Sequence, residues 1–134
     1  MSSHLRFTNP ATVASPRGYT HVVEVIGPGR IVYIAGQLGL DREGKFPGTG
    51  DFRAQAVQAF ENLSAALAVV DAKFEHVVKI TNYFTDMADL PIFFEVRNRY
   101  VNTAAPPAST AVQISRLARD GALFEIEAIA ILPG

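Results

Sequence analysis

The stretch Phe124-Glu125-Ile126-Glu127-Ala128-Ile129-Ala130-Ile131-Leu132 constrains this chain more than any other. Its first half alternates, with Glu125 and Glu127 on one face of a strand and Ile126 on the other. After Glu127 both faces are apolar. A strand read from Leu123 to Leu132 must therefore be covered on both sides. Helices of the same chain can cover one face, and a partner subunit is the natural cover for the other.

The elements before it supply those helices. Asp51 to about Val70 carries Ala56, Phe60, Leu63, Leu67 and Val70 on one stripe, with Asp51 as the cap. A second helix is expected from Asp86 or Asp89, with Pro91 in its first turn. Leu90, Phe93, Val96 or Arg97, and Tyr100 form its inner face, and Ala104-Ala105-Pro106-Pro107 stops it. β-Branched runs predict strands over 19–26, 31–35, 77–84 and 110–114, and Gly27-Pro28-Gly29 suggests that the first two form a hairpin. The residues before Tyr19, with Asn9-Pro10 and Ser15-Pro16, read as loop. The resulting order is β-β-α-β-α-β-β, one α+β domain over residues 1–134 with both helices on one face of the sheet.

Composition closes off several functions. The 134 residues carry a net charge of −1 and scattered arginines, so a nucleic-acid partner is not expected. No run of about 18 apolar residues suggests a membrane span. The absence of cysteine excludes disulfides, a thiol nucleophile and thiolate-bound metal. With no signal peptide expected at Met1-Ser2-Ser3-His4, it fits a cytoplasmic address. His4, His21 and His76 are too scattered for a metal set, and no nucleophile elbow accompanies them. Gly27-Pro28-Gly29 and Gly48-Thr49-Gly50 lack the lysine and helix of a phosphate loop.

Five segments in this order resemble the Rid (YjgF-like) family of enamine and imine deaminases, also known as endoribonuclease L-PSP-like proteins. They are Ile34-Ala35-Gly36-Gln37, Gln58-Ala59-Phe60-Glu61-Asn62-Leu63, the strand from Val77 to Asp86, Pro106-Pro107-Ala108-Ser109-Thr110-Ala111-Val112, and Phe124 to Ala130. The resemblance runs from about Tyr19 to Leu132. It implies a chorismate-mutase-like subunit in a homotrimer with a central barrel, and a small-molecule cleft between subunits. It further implies hydrolysis of reactive enamines and imines such as 2-aminoacrylate, without metal or cofactor.

The same resemblance names site residues. Glu127 matches a glutamate that holds the attacking water. Tyr19, Ala35, Gly36, Ser109, Thr110 and Ala111 fall on ligand-binding positions. Ser109 stands where deaminase members carry an arginine that grips the substrate carboxylate. Ala35 replaces a common serine, and Phe94 falls near the place of an asparagine. Arg116 and Arg119 are the nearest substitutes in sequence for the absent arginine. The expectation is a Rid-like protein that hydrolyses an enamine, imine or related labile bond between subunits. The alternative is a non-catalytic ligand-binding or interaction module using that cleft. Ribonuclease activity, also attached to the family, is disfavoured by the charge balance.

Overall fold

The computed structural model describes residues 4–134. Six strands form: β1 (Leu5–Thr8), β2 (Val22–Val25), β3 (Gly29–Leu38), β4 (Val77–Phe84), β5 (Ala108–Gln113) and β6 (Phe124–Pro133). The helices are α1 (Phe52–Ala68) and α2 (Leu90–Arg97), and single 3₁₀ turns precede β4 and α2. The main sheet has the order β3-β6-β4-β5. β6 runs antiparallel to both neighbours, whereas β4 and β5 are parallel, with α2 in the crossover between them. This is the expected α+β arrangement, two helices packed on a mixed sheet.

The most apolar strand thus takes an interior place in the sheet. Phe124, Ile126, Ala128, Ala130 and Leu132 of β6 point into one core with Ile80 and Phe84 of β4. From α1 that core receives Ala56, Ala59, Phe60, Leu63 and Leu67, and from α2 Phe93 and Val96. Five phenylalanines (Phe52, Phe60, Phe84, Phe93 and Phe124) pack there in stacked, tilted and edge-on pairs 5.3–6.2 Å apart. Asp51 caps α1 by accepting from the Ala54 N–H at 3.0 Å. Asn62, on the polar side of α1, donates to the carbonyls of Leu38 and Leu40 and pins the chain leaving β3.

Two local expectations change. β2 does not pair with β3; it pairs antiparallel with β1 in a separate two-stranded sheet, and β3 pairs with β6. The strand signals and the turn at Gly27 are real (its φ is +81°), but that turn carries the chain from one sheet to the other. β1 itself is only four residues long, too short a run for alternation to distinguish it from the surrounding loop signals. The second helix ends at Arg97, yet Tyr100 N–H and Val101 N–H still bond to the Arg97 carbonyl. The helix-like spacing of Phe93, Arg97 and Tyr100 therefore outlasts the α-helix.

The other face of the main sheet is only partly covered. Ile31 and Tyr33 of β3 keep 59% and 76% of their surface exposed, and Ile129 of β6 is half-buried. Leu63, fully buried at the helix–sheet contact, tests the packing. Leu63→Ala is expected to cost about 2–5 kcal/mol of stability in chemical denaturation, through lost burial and a cavity. A change below about 0.5 kcal/mol, the usual range of a surface substitution, would place Leu63 outside the core.

Candidate functional site

Between Ile34, opposite Ala128, and Gln37, opposite Ile126, β3 has one residue more than β6. Ala35 and Gly36 together face Glu127, which makes a β-bulge at the end of the pairing. Gln37 braces it by donating from its side chain to the Ala35 carbonyl at 3.0 Å. The Glu125 side chain lies across Gly36. A β-carbon there would come within 1.9 Å of the Glu125 Oε2 and 2.6 Å of its Cδ, so the carboxylate occupies space that only glycine leaves open.

Glu125 and Glu127 project from the same face of β6, as the alternation predicts. Glu125 is half-buried. Burial, and secondly the charge of Glu127, push its carboxyl above the ordinary carboxylate range. Glu127 is exposed, and its Oε1 accepts from the Tyr83 hydroxyl at 3.0 Å. That bond, followed by burial and the charges of both glutamates, raises the Tyr83 pKa, so the phenol stays a neutral donor at physiological pH. Beside this patch the Lys79 ammonium donates to the Thr110 hydroxyl at 2.7 Å. A small cleft of about 110 Å³ runs along Lys79, Thr81, Glu127 and Ile129.

A larger pocket of about 520 Å³ opens on the helix side of the sheet edge, and its walls are mostly apolar. Tyr19, Phe93, Phe94, Leu90 and Ala111 line it, with Ser109 and Arg17 as its polar members. Thr20 straps the 17–20 segment over the start of β5. Its N–H donates to the Pro107 carbonyl and its hydroxyl to the Pro106 carbonyl. Gly18, at φ +78°, lets that segment lie against Phe94 and Arg97, where a β-carbon would come within 3.0 Å of the Phe94 ring. Ser109 Oγ accepts from the side-chain amide of buried Asn82 at 3.1 Å, leaving its own O–H free to donate.

The residues expected from sequence thus fall into two groups. Tyr19, Ser109 and Ala111 meet at the pocket, where Phe94 also stands. Ala35 and Gly36 lie at the bulge, and Glu127 and Thr110 on the more open face. Arg116 is tied to Asp120 and Arg119 to the Gly44 carbonyl, and neither lines the pocket. Glu125, Tyr83, Asn82 and Arg17 were not singled out from sequence. The spacing of Glu125 from Glu127 does put both on one face, but no sequence signal reveals that a bulge brings Gly36 under Glu125. Among the described residues no cluster of His, Asp and Glu could hold a metal ion. No helix among them is long and apolar enough to cross a membrane.

A mixed sheet under two helices, with a bulged strand set against paired glutamates, defines a small α+β protein with a ligand-sized site. The model of the family described as endoribonuclease L-PSP matches residues 11–132, and the chain belongs to that family, the Rid/YjgF proteins. Protein DfrA of Myxococcus xanthus is 42% identical over 84% of each chain. The 2-iminobutanoate/2-iminopropanoate deaminase of Mus musculus is 33% identical over 90% of this chain and 88% of its own. Among solved structures, the Rid-family protein YyfB of Yersinia pestis, of unknown function, superposes with a TM-score of 0.87 at 32% identity, covering 96% of this chain and 99% of its own.

The proximity of the two glutamates has a direct readout. In a carboxyl-detected NMR titration Glu125 is expected to titrate above the ordinary glutamate range. Glu127→Gln should lower that midpoint without fully restoring it, because burial is the larger cause. An unchanged Glu125 midpoint in the variant would mean that the two carboxylates do not interact.

Proposed function

We propose that the protein hydrolyses an imine, or the enamine that tautomerises to it, in a cleft formed between subunits of a homotrimer. The observation that carries this reading is the half-buried Glu125 carboxyl lying over the Gly36 backbone with Glu127 beside it. Water adds to the C=N carbon as its proton passes to carboxylate, and the nitrogen is protonated. The resulting carbinolamine collapses to a carbonyl compound and ammonia. A carboxyl whose pKa is raised by burial is a stronger proton acceptor than an ordinary glutamate and can return the proton to nitrogen. The sequence resemblance put that role on Glu127. The half-buried position over Gly36 favours Glu125 as the proton carrier, with Glu127, held by Tyr83, sharing the water and tuning its neighbour.

Two relatives named 2-iminobutanoate/2-iminopropanoate deaminase, from Dermatophagoides farinae and Mus musculus, support the reaction class. The homotrimer is supported by exposed Ile31 and Tyr33 beside half-buried Ile129. The proposed shared cleft sets a neighbour's β5 edge, with Tyr19, Ser109 and Ala111, against the glutamates. Ser109 is a neutral hydroxyl, so the smallest 2-imino acids lose the bidentate grip an arginine would give. The alternative, a binding module without turnover, draws support from the aromatic walls of the pocket.

Light scattering is expected to give about three times the 14.5 kDa subunit mass, and a stable monomer at micromolar concentration would contradict the shared cleft. An amino-acid-consuming enzyme can supply imines while keto-acid release is timed with and without this protein. Glu125→Gln is expected to cost about 10²–10⁴-fold in rate while the trimer persists. Glu127→Gln should cost less and move the pH–rate profile downwards. For the small 2-aminoacrylate-derived imine, acceleration should be weak and should rise with Ser109→Arg. Full activity in Glu125→Gln would return the proton-carrier role to Glu127, and no acceleration by the unmodified protein would leave only the binding-module reading.

A further inference from the structure

The pocket at the β5 edge joins an aromatic wall to a positive rim. Arg17 is exposed at its mouth and has no hydrogen-bond or ion-pair partner among the described residues. Behind the wall, Arg97 is only 2% exposed and no carboxylate among the described residues pairs with it. Its guanidinium donates to the Gly18 carbonyl and to Asn98 Oδ1, and it sits 5.0 Å from the centre of the Phe94 ring. A cation packs on one face of Phe94, and the subunit's own lining of the pocket holds no carboxylate. The nearby acids do not line it: Asp86 caps the turn before α2, Asp89 lies beside that cap, and Glu95 is bonded to Arg53.

We propose that this pocket selects a carboxylate carried on an aromatic or similarly bulky apolar body, with Arg17 as the carboxylate anchor. The volume of about 520 Å³ leaves room for a ring between Tyr19, Phe93 and Phe94. The ring buries apolar surface, and Ser109 offers a neutral donor O–H inside. The planar guanidinium of Arg17 at the rim can grip the carboxylate with two parallel N–H···O bonds. Moving the cation from the position of Ser109 to Arg17 at the mouth excludes the smallest acids, which cannot fill the pocket and reach the rim together. This deepens the proposed reaction by naming its substrate class as bulky 2-imino acids, and it rests on that reading only for the word substrate.

The test measures binding alone. Isothermal titration of the intact oligomer with 3-phenylpropanoate, 3-phenylpropanamide and propanoate separates ring from charge. The aromatic carboxylate is expected to bind at least about tenfold more tightly than either control, the scale of one charge-assisted bond. Arg17→Gln, at an exposed position that folding does not need, should abolish the preference over the amide. Phe94→Asn should weaken the aromatic acid and leave propanoate unchanged. Equal binding of acid and amide, a preference surviving in Arg17→Gln, or no binding of any of the three would overturn the assignment. Binding as expected with no turnover of any imine would sink the reaction instead and leave this pocket assignment standing.

Discussion

The pairing of β6 with β3 on one side and β4 on the other organises the molecule. Every other residue of that strand, from Phe124 to Leu132, is driven under the helices by burial. Period-2 alternation then forces Glu125, Glu127 and Ile129 onto the opposite face. A slip of one residue in register would put both carboxylates into the phenylalanine cluster, an error costing several kcal/mol for each unpaired charge. The core therefore fixes the site: the same register that buries Phe124 and Ile126 presents the glutamates to the bulge at Gly36.

The helix–sheet layer was legible because its signals are local and periodic. The stripe on α1, the Asp51 cap and the switch in β6 from alternation to two-sided apolarity each reflect one-dimensional patterning. Strand pairing was not legible in the same way. Nothing within residues 19–35 tells a hairpin from a chain that leaves one sheet for another, because the competing partners, β1 and β6, lie elsewhere in sequence. For the candidate site, sequence named positions but could not show which of them the fold groups together. Glu125 stood out only once the β3 bulge put Gly36 beneath it, and Arg17 only once Thr20 strapped its segment onto the 106–107 turn.

The proposed function turns on how the two groups are separated. The glutamates and the pocket lie on different faces of one subunit, so a proposed ligand touching both needs a second copy of the chain. In that proposal the exposed Ile31 and Tyr33 lie on the face that the second copy covers. In the proposed reading the neutral Ser109 and the Phe94 wall set what is held, and the two carboxylates handle the proton.

Mixing two inactive variants tests this account most directly. Glu125→Gln subunits keep a whole pocket, and Ala111→Trp subunits, with the pocket filled, keep whole glutamates. If each cleft takes its pocket from one subunit and its carboxylates from the next, unfolding and refolding an equimolar mixture restores one intact cleft in about four by random assembly in a ring. The account predicts recovery of about a quarter of the unmodified imine-hydrolysis rate. Mixed trimers as inactive as either parent would contradict it.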